Sequence, residues 1–87
     1  MKPIKLFYLK DCPFCKKAFK YIDDLKRQAI YEPIEIELIE ESEQAELADR
    51  YDYYYVPTFY VDNIKVHEGG IFFSEVEEIF KKALANY

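Results

Sequence analysis

The chain has 87 residues, which fits a single domain and leaves no room for a second independent core. Hydrophobic residues make up 51% and aromatics 18%, with two Gly and four Pro, which excludes a disordered tail and predicts a compact fold whose small core draws on nine Tyr and seven Phe. A net charge of -5, with no basic stripe interleaved with stacking aromatics, argues against nucleic-acid binding.

The charge is unevenly spread: residues 1–27 carry net +5, residues 28–52 net -8 and residues 53–87 net -2. The basic end holds both cysteines, Cys12 and Cys15. A bridge between residues so close in sequence would restrain the unfolded chain little, so the pair does not read as a structural staple. The opening Met1-Lys2-Pro3-Ile4-Lys5 lacks the apolar stretch of a signal peptide, and no run approaches the ~20 residues of a membrane span. The expectation is a soluble, cytoplasmic monomer, a setting in which isolated disulfides are catalytic or redox-sensing.

Ile4-Lys5-Leu6-Phe7-Tyr8-Leu9 is almost wholly apolar or amphipathic and predicts a central strand, buried on both faces. Behind it Cys15, Ala18, Phe19, Ile22, Leu25 and Ala29 recur at steps of three or four, an amphipathic helix with Pro13 in its favoured first turn. After Pro33, Ile34, Ile36 and Leu38 alternate with Glu35 and Glu37, as in a strand with one face more exposed. Ser42 and Glu43 before Ala45, Leu47, Ala48 and Tyr51, with Arg50 late, predict a short helix oriented with its macrodipole. A tyrosine-rich loop spans residues 52–56. Two strands follow, Thr58-Phe59-Tyr60-Val61 and Ile64-Lys65-Val66-His67, joined by Asp62-Asn63, a pair that tolerates positive φ in a tight hairpin. Beyond Gly69-Gly70, Ser74 and Glu77 have capping-box spacing, and Val76, Ile79, Phe80, Ala83 and Leu84 form one stripe of a closing helix. The predicted order is βαβαββα, an α/β fold with a parallel first half and an antiparallel hairpin in one mixed sheet.

The chemistry centres on Cys12-Pro13-Phe14-Cys15. A thiol attacks a disulfide only as its thiolate. Cys12 falls where strand hands over to helix, so unpaired N–H groups and the positive dipole end favour a sulfur anion there. Lys10, Lys16 and Lys17 add to this and Asp11 opposes it. Cys15 lies three residues on, on the same helical face, with Cβ atoms about 5–6 Å apart, so a disulfide closes with little strain. Cys12 is read as the attacking sulfur and Cys15, in the apolar stripe, as the resolving one. Three other readings compete with this one. Half a zinc site lacks further ligands beyond His67; a soft-metal carrier using the two thiolates usually has βαββαβ topology; incidental cysteines remain the bland case.

These residues resemble the glutaredoxin branch of the thioredoxin superfamily: Phe7-Tyr8 before the Cys-Pro-Phe-Cys motif, Tyr55-Val56-Pro57-Thr58 before the hairpin, and Gly69-Gly70 before the last helix. The resemblance covers nearly the whole chain and implies a thioredoxin fold, a four-stranded mixed sheet flanked by helices. It further implies a dithiol disulfide reductase with no metal or tightly bound cofactor, acting on protein or small-molecule disulfides. Electrons would come from glutathione or an NADPH-dependent, thioredoxin-reductase-type donor. By resemblance Pro57 is cis against the cysteines and Val56 offers main-chain bonds to a substrate. Lys10, Pro13, Phe14, Tyr55, Gly69 and Gly70 would complete the substrate site. Taken without the motif, Pro57 equally suits the start of an edge strand.

The sequence departs from the family in places. Leu9 stands three before Cys12, where glutathione-using members commonly carry a base. Ile71-Phe72-Phe73 replaces the usual small residue and acids after the glycines. Leu6 occupies the position of the buried Asp of thioredoxins. Tyr53, Tyr54, Tyr55, Phe72 and Phe73 read either as core or as an apolar rim around Cys12; His67 reads as a strand residue; and the acids of residues 32–52 read as a solvated face that could also orient a basic reductase.

Overall fold

In the computed structural model, which describes residues 1–85, the elements run β1 (Ile4–Tyr8), α1 (Pro13–Leu25), β2 (Ile36–Glu40), α2 (Ala45–Ala48), β3 (Thr58–Val61), β4 (Ile64–Glu68) and α3 (Phe73–Leu84). The strands form one mixed sheet in the order β2-β1-β3-β4, with β1 parallel to β2 and antiparallel to β3, and β3 antiparallel to β4. β1 is therefore central, which is why Ile4, Leu6 and Phe7 are all buried although they point to opposite faces. Ile4 and Leu6, with Phe59 and Val61, pack against the apolar stripes of α1 and α3. Phe7, Ile39 and Tyr60 form a smaller cluster with Ala48 of α2, joined by Tyr51 and Tyr53. Helices thus cover both faces of the sheet, as the sequence pattern requires.

The Asp62-Asn63 turn has φ of 53° and 64°, the left-handed geometry expected of a tight hairpin. Other boundaries differ from the sequence reading. α1 stops at Leu25: Lys26 caps it, and the chain passes through successive turns in which Gln28 N–H donates to Leu25 O and Tyr31 N–H to Gln28 O, both at 3.0 Å. Continuing the helix would soon place Pro33 in its interior. Ala29 is consequently exposed, and Tyr31 and Ile34 enter the core in its place. β2 begins two residues later than expected, pairing Ile4 with Ile36 and Tyr8 with Glu40. On this edge strand Ile36 packs against the larger cluster, Ile39 joins the smaller one and Glu40 is buried, while Leu38 is 46% exposed.

α2 is a single turn whose N-cap is Gln44, because Ser42 and Glu43 instead donate to the Glu40 carboxylate. Arg50 lies beyond its C-cap, Asp49. α3 begins at Phe73 rather than after Ser74. The Glu75 carboxylate accepts the Phe72 N–H at 3.0 Å, and Glu77, expected to close the capping box, accepts the Tyr31 hydroxyl at 2.8 Å. No helix among the described residues is long and apolar enough to cross a membrane.

Phe59 sits fully buried in the larger cluster, between sheet and helices. Phe59→Ala is expected to cost about 3–5 kcal/mol of stability, read from urea unfolding followed by circular dichroism.

Candidate active site

β1 ends at Tyr8, and residues 9–11 carry the chain into α1 with Cys12 at the N-cap in extended backbone geometry (φ -85°, ψ 118°). Pro13 follows as the first helical residue, where its missing N–H costs nothing. The Cys12 sulfur takes the place of the usual capping oxygen: it accepts the Cys15 N–H at 3.3 Å, one of the donors a helix start leaves unpaired. The cap position also sets the sulfur at the positive end of the helix dipole. No acidic residue occupies the first turn of α1, while Lys16 and Lys17 are exposed on it.

The two thiols differ sharply in setting. Cys12 is partly exposed, whereas Cys15 is 1% exposed on the face that α1 buries. Burial pushes the Cys15 thiol up to about 12; the Leu9 N–H opposes this, and the nearby Cys12 side chain adds to it. Cys15 therefore stays protonated at neutral pH, out of reach of bulk reagents and within reach of Cys12.

Across from α1, the Val56–Pro57 peptide is cis, Pro57 is buried, and the Cys12 thiol donates to the Val56 carbonyl at 3.9 Å. The Val56 N–H has no hydrogen-bond partner among the described residues. Thr58 Oγ1 donates to the Tyr55 carbonyl, and Gly69 N–H to the Pro57 carbonyl at 2.8 Å. Gly69 has φ of +90°, which favours glycine, and a Cβ on Gly70 would come within 3.3 Å of the Phe14 ring, so the two lie close together. Phe14, Tyr54, Tyr55 and Phe72 are exposed, whereas Tyr53 stacks on Phe7 with ring centroids 4.9 Å apart. The tyrosine run thus divides between core and surface. Phe73 is half-exposed and packs edge-on to Tyr21.

Lys10 lines a cleft of about 430 Å³ with Cys12, Leu9, Asp11 and Glu43, and its ammonium forms an ion pair with Glu43. Its main-chain N–H donates to Glu40 at 3.1 Å. Sequence reasoning left Glu40 on a solvated acidic face; it is buried, and its four hydrogen bonds join the cysteine turn to the turn after β2. The Ser42 hydroxyl, followed by main-chain N–H groups, holds its carboxyl below the usual range despite burial. A strand-terminal acid two residues before a serine was the available signal. Glu68, also missed, accepts the N–H groups of Tyr54 (2.6 Å) and Tyr55 (3.0 Å) and pairs with Lys65 at 2.7 Å. Lys65 first, then the Tyr54 N–H, pull its carboxyl down to about 2. His67 stands on β4 and contacts the Gly70 carbonyl at 2.7 Å. Among the described residues no group of three or more His, Cys, Asp or Glu is placed to hold a metal.

Two comparisons bear on this arrangement. The family model for glutaredoxin matches residues 4–66, so the chain belongs to the glutaredoxin family, a family of thiol–disulfide oxidoreductases. The solution structure of oxidised thioredoxin from Plasmodium falciparum is similar with a TM-score of 0.73 at 20% identity, covering 97% of this chain and 82% of that one, which shows a shared thioredoxin fold. No curated protein matches the sequence.

The exposure difference sets an expectation for alkylation. In the reduced protein at pH 7, iodoacetamide should modify Cys12 at least about tenfold faster than Cys15, resolved by peptide mass spectrometry. Cys15 should remain protected as pH rises well past the range of a free thiol, because its raised value keeps it protonated.

Proposed function

We propose that this protein reduces disulfides through a mixed disulfide on Cys12 that Cys15 resolves. The Cys12 thiolate attacks one sulfur of the substrate, and the other leaves as a thiolate that takes up a proton. Cys15 then gives up its proton and attacks the Cys12 sulfur. The Cys12–Cys15 disulfide forms, the substrate's second thiol is released, and two electrons have passed to the substrate. Two glutathione molecules, leaving as glutathione disulfide, or a reductase that passes on two electrons from NADPH, return the Cys12–Cys15 disulfide to two thiols. The observation that carries this reading is the pairing of a partly exposed Cys12 at a helix N-cap with a buried, protonated Cys15 one turn below it.

The substrates are protein or small-molecule disulfides, met by a monomer in the cytoplasm. Val56 offers main-chain groups beside Cys12, Phe14 and Tyr55 supply an apolar rim, and Pro13, Pro57, Gly69 and Gly70 shape its floor. The unpaired Val56 N–H and the exposure of both rings support these roles. Lys10 lies close enough to assist a charged substrate once released from Glu43.

Cys12→Ser should abolish turnover of hydroxyethyl disulfide and of insulin disulfides alike. Cys15→Ser should accumulate a Cys12 mixed disulfide visible by intact-mass spectrometry, with dithiol turnover lost. A Cys12→Ser protein that retained full activity would remove the reading.

A further inference from the structure

Residues 52–55 belong to no helix or strand, yet their backbone is held at four main-chain atoms. Glu68, at the end of β4, takes the Tyr54 and Tyr55 N–H groups on one carboxylate oxygen and the Lys65 ammonium on the other. Lys65 also donates to the Asp52 carbonyl at 3.1 Å, and Thr58 secures the Tyr55 carbonyl. The side chains carried on this fixed backbone are nevertheless 86% exposed at Tyr54 and 70% exposed at Tyr55. The next residue, Val56, places its carbonyl 3.9 Å from the Cys12 sulfur and leaves its N–H unpaired among the described residues. Immobilised backbone, solvent-facing rings and a free main-chain donor beside a nucleophile are the ingredients of a preorganised binding edge, whose ordering cost is met before the ligand arrives.

We propose that Glu68 is a positioning residue which, by accepting the Tyr54 and Tyr55 N–H groups, presets residues 54–56 as a ledge for an extended polypeptide carrying the target disulfide. This rests on the reading of Cys12 as the attacking thiol. The partner is a polypeptide because the Val56 N–H pairs with a main-chain carbonyl and the two rings take neighbouring side chains. A small disulfide without a peptide backbone reacts at Cys12 without using the ledge. The Glu68 side chain touches neither substrate nor sulfur in this scheme, so its removal affects recognition rather than the exchange step.

The test compares two nitrothiobenzoate mixed disulfides, one of a seven-residue peptide with a central cysteine and one of 2-mercaptoethanol. In each, the Cys12 thiolate attacks the aliphatic sulfur, a new S–S bond forms to Cys12, and nitrothiobenzoate leaves as a coloured thiolate. Cys15 then displaces the peptide or mercaptoethanol thiol, and dithiothreitol reduces the protein for the next turnover. Glu68→Leu should raise KM for the peptide about fivefold with kcat unchanged, and leave the mercaptoethanol probe within about twofold of wild type. Glu68→Gln, which keeps an acceptor for the two N–H groups, should recover most of the loss. Equal effects on both probes, no effect on either, or a Gln variant as poor as Leu would overturn the proposal. Amide hydrogen exchange in the wild-type protein gives a check that needs no variant: the Tyr54 and Tyr55 amides should be protected, and exchange at free-peptide rates would also overturn it. Nitrothiobenzoate release that persists in Cys12→Ser above the rate with dithiothreitol alone would instead strike the underlying reading of the nucleophile.

Discussion

A single hydrogen bond, from the Cys15 N–H to the Cys12 sulfur at 3.3 Å, sets the character of this molecule. It exists because Cys12 is the N-cap of α1, and Cys12 is the N-cap because β1 ends four residues earlier and Pro13 starts the helix. The same register turns Cys15 into the buried stripe with Ala18, Ile22 and Leu25. One geometric fact therefore gives two identical side chains opposite environments: one sulfur partly exposed at the start of a helix, and one that burial keeps as a thiol. The packing of α1 on the sheet holds that difference in place.

Around this junction the two edge strands act alike. β2 and β4 both run parallel to β1, since β3 is antiparallel to β1 and to β4, and each ends in a glutamate at the end of the sheet where Cys12 lies. Glu40 ties the cysteine turn to the turn after β2 through the Lys10 N–H. Glu68 ties the loop before Pro57 through the Tyr54 and Tyr55 N–H groups. Each carboxylate satisfies main-chain donors that loops would otherwise leave to water, and each is charged at neutral pH because those donors and a neighbouring hydroxyl or ammonium favour the anion. Cys12 thus sits between two loops, each braced by a carboxylate from an edge strand.

The order of elements was legible because it rests on periodicity: the steps of three or four in α1 and α3, the apolar run of β1 and the Asp62-Asn63 turn all describe local backbone choices. The cysteine motif was equally plain, since its chemistry depends on spacing and on a helix start. What escaped the sequence depended on distant partners. Leu38 and Glu40 exchanged expected environments because edge position and hydrogen-bonding partners, not alternation, decide burial on β2. Ser74 failed to cap α3 because the helix starts at Phe73 and Glu75 reaches back to the Phe72 N–H. Three adjacent tyrosines each read as core or rim, with only Tyr55 placed in the substrate site, and of the three Tyr53 alone meets Phe7. Glu40 and Glu68 look like ordinary surface acids until the loops they hold are folded beside them.

The central claim is that Cys12 and Cys15 act in a fixed order because of where α1 places them. Rapid-quench mass spectrometry of the reduced wild-type protein mixed with hydroxyethyl disulfide tests this most directly. An adduct should appear first on Cys12 alone and decay into an intramolecular Cys12–Cys15 disulfide with release of mercaptoethanol. A first adduct on Cys15, or a Cys12 adduct that persists without closing to the intramolecular disulfide, would contradict it.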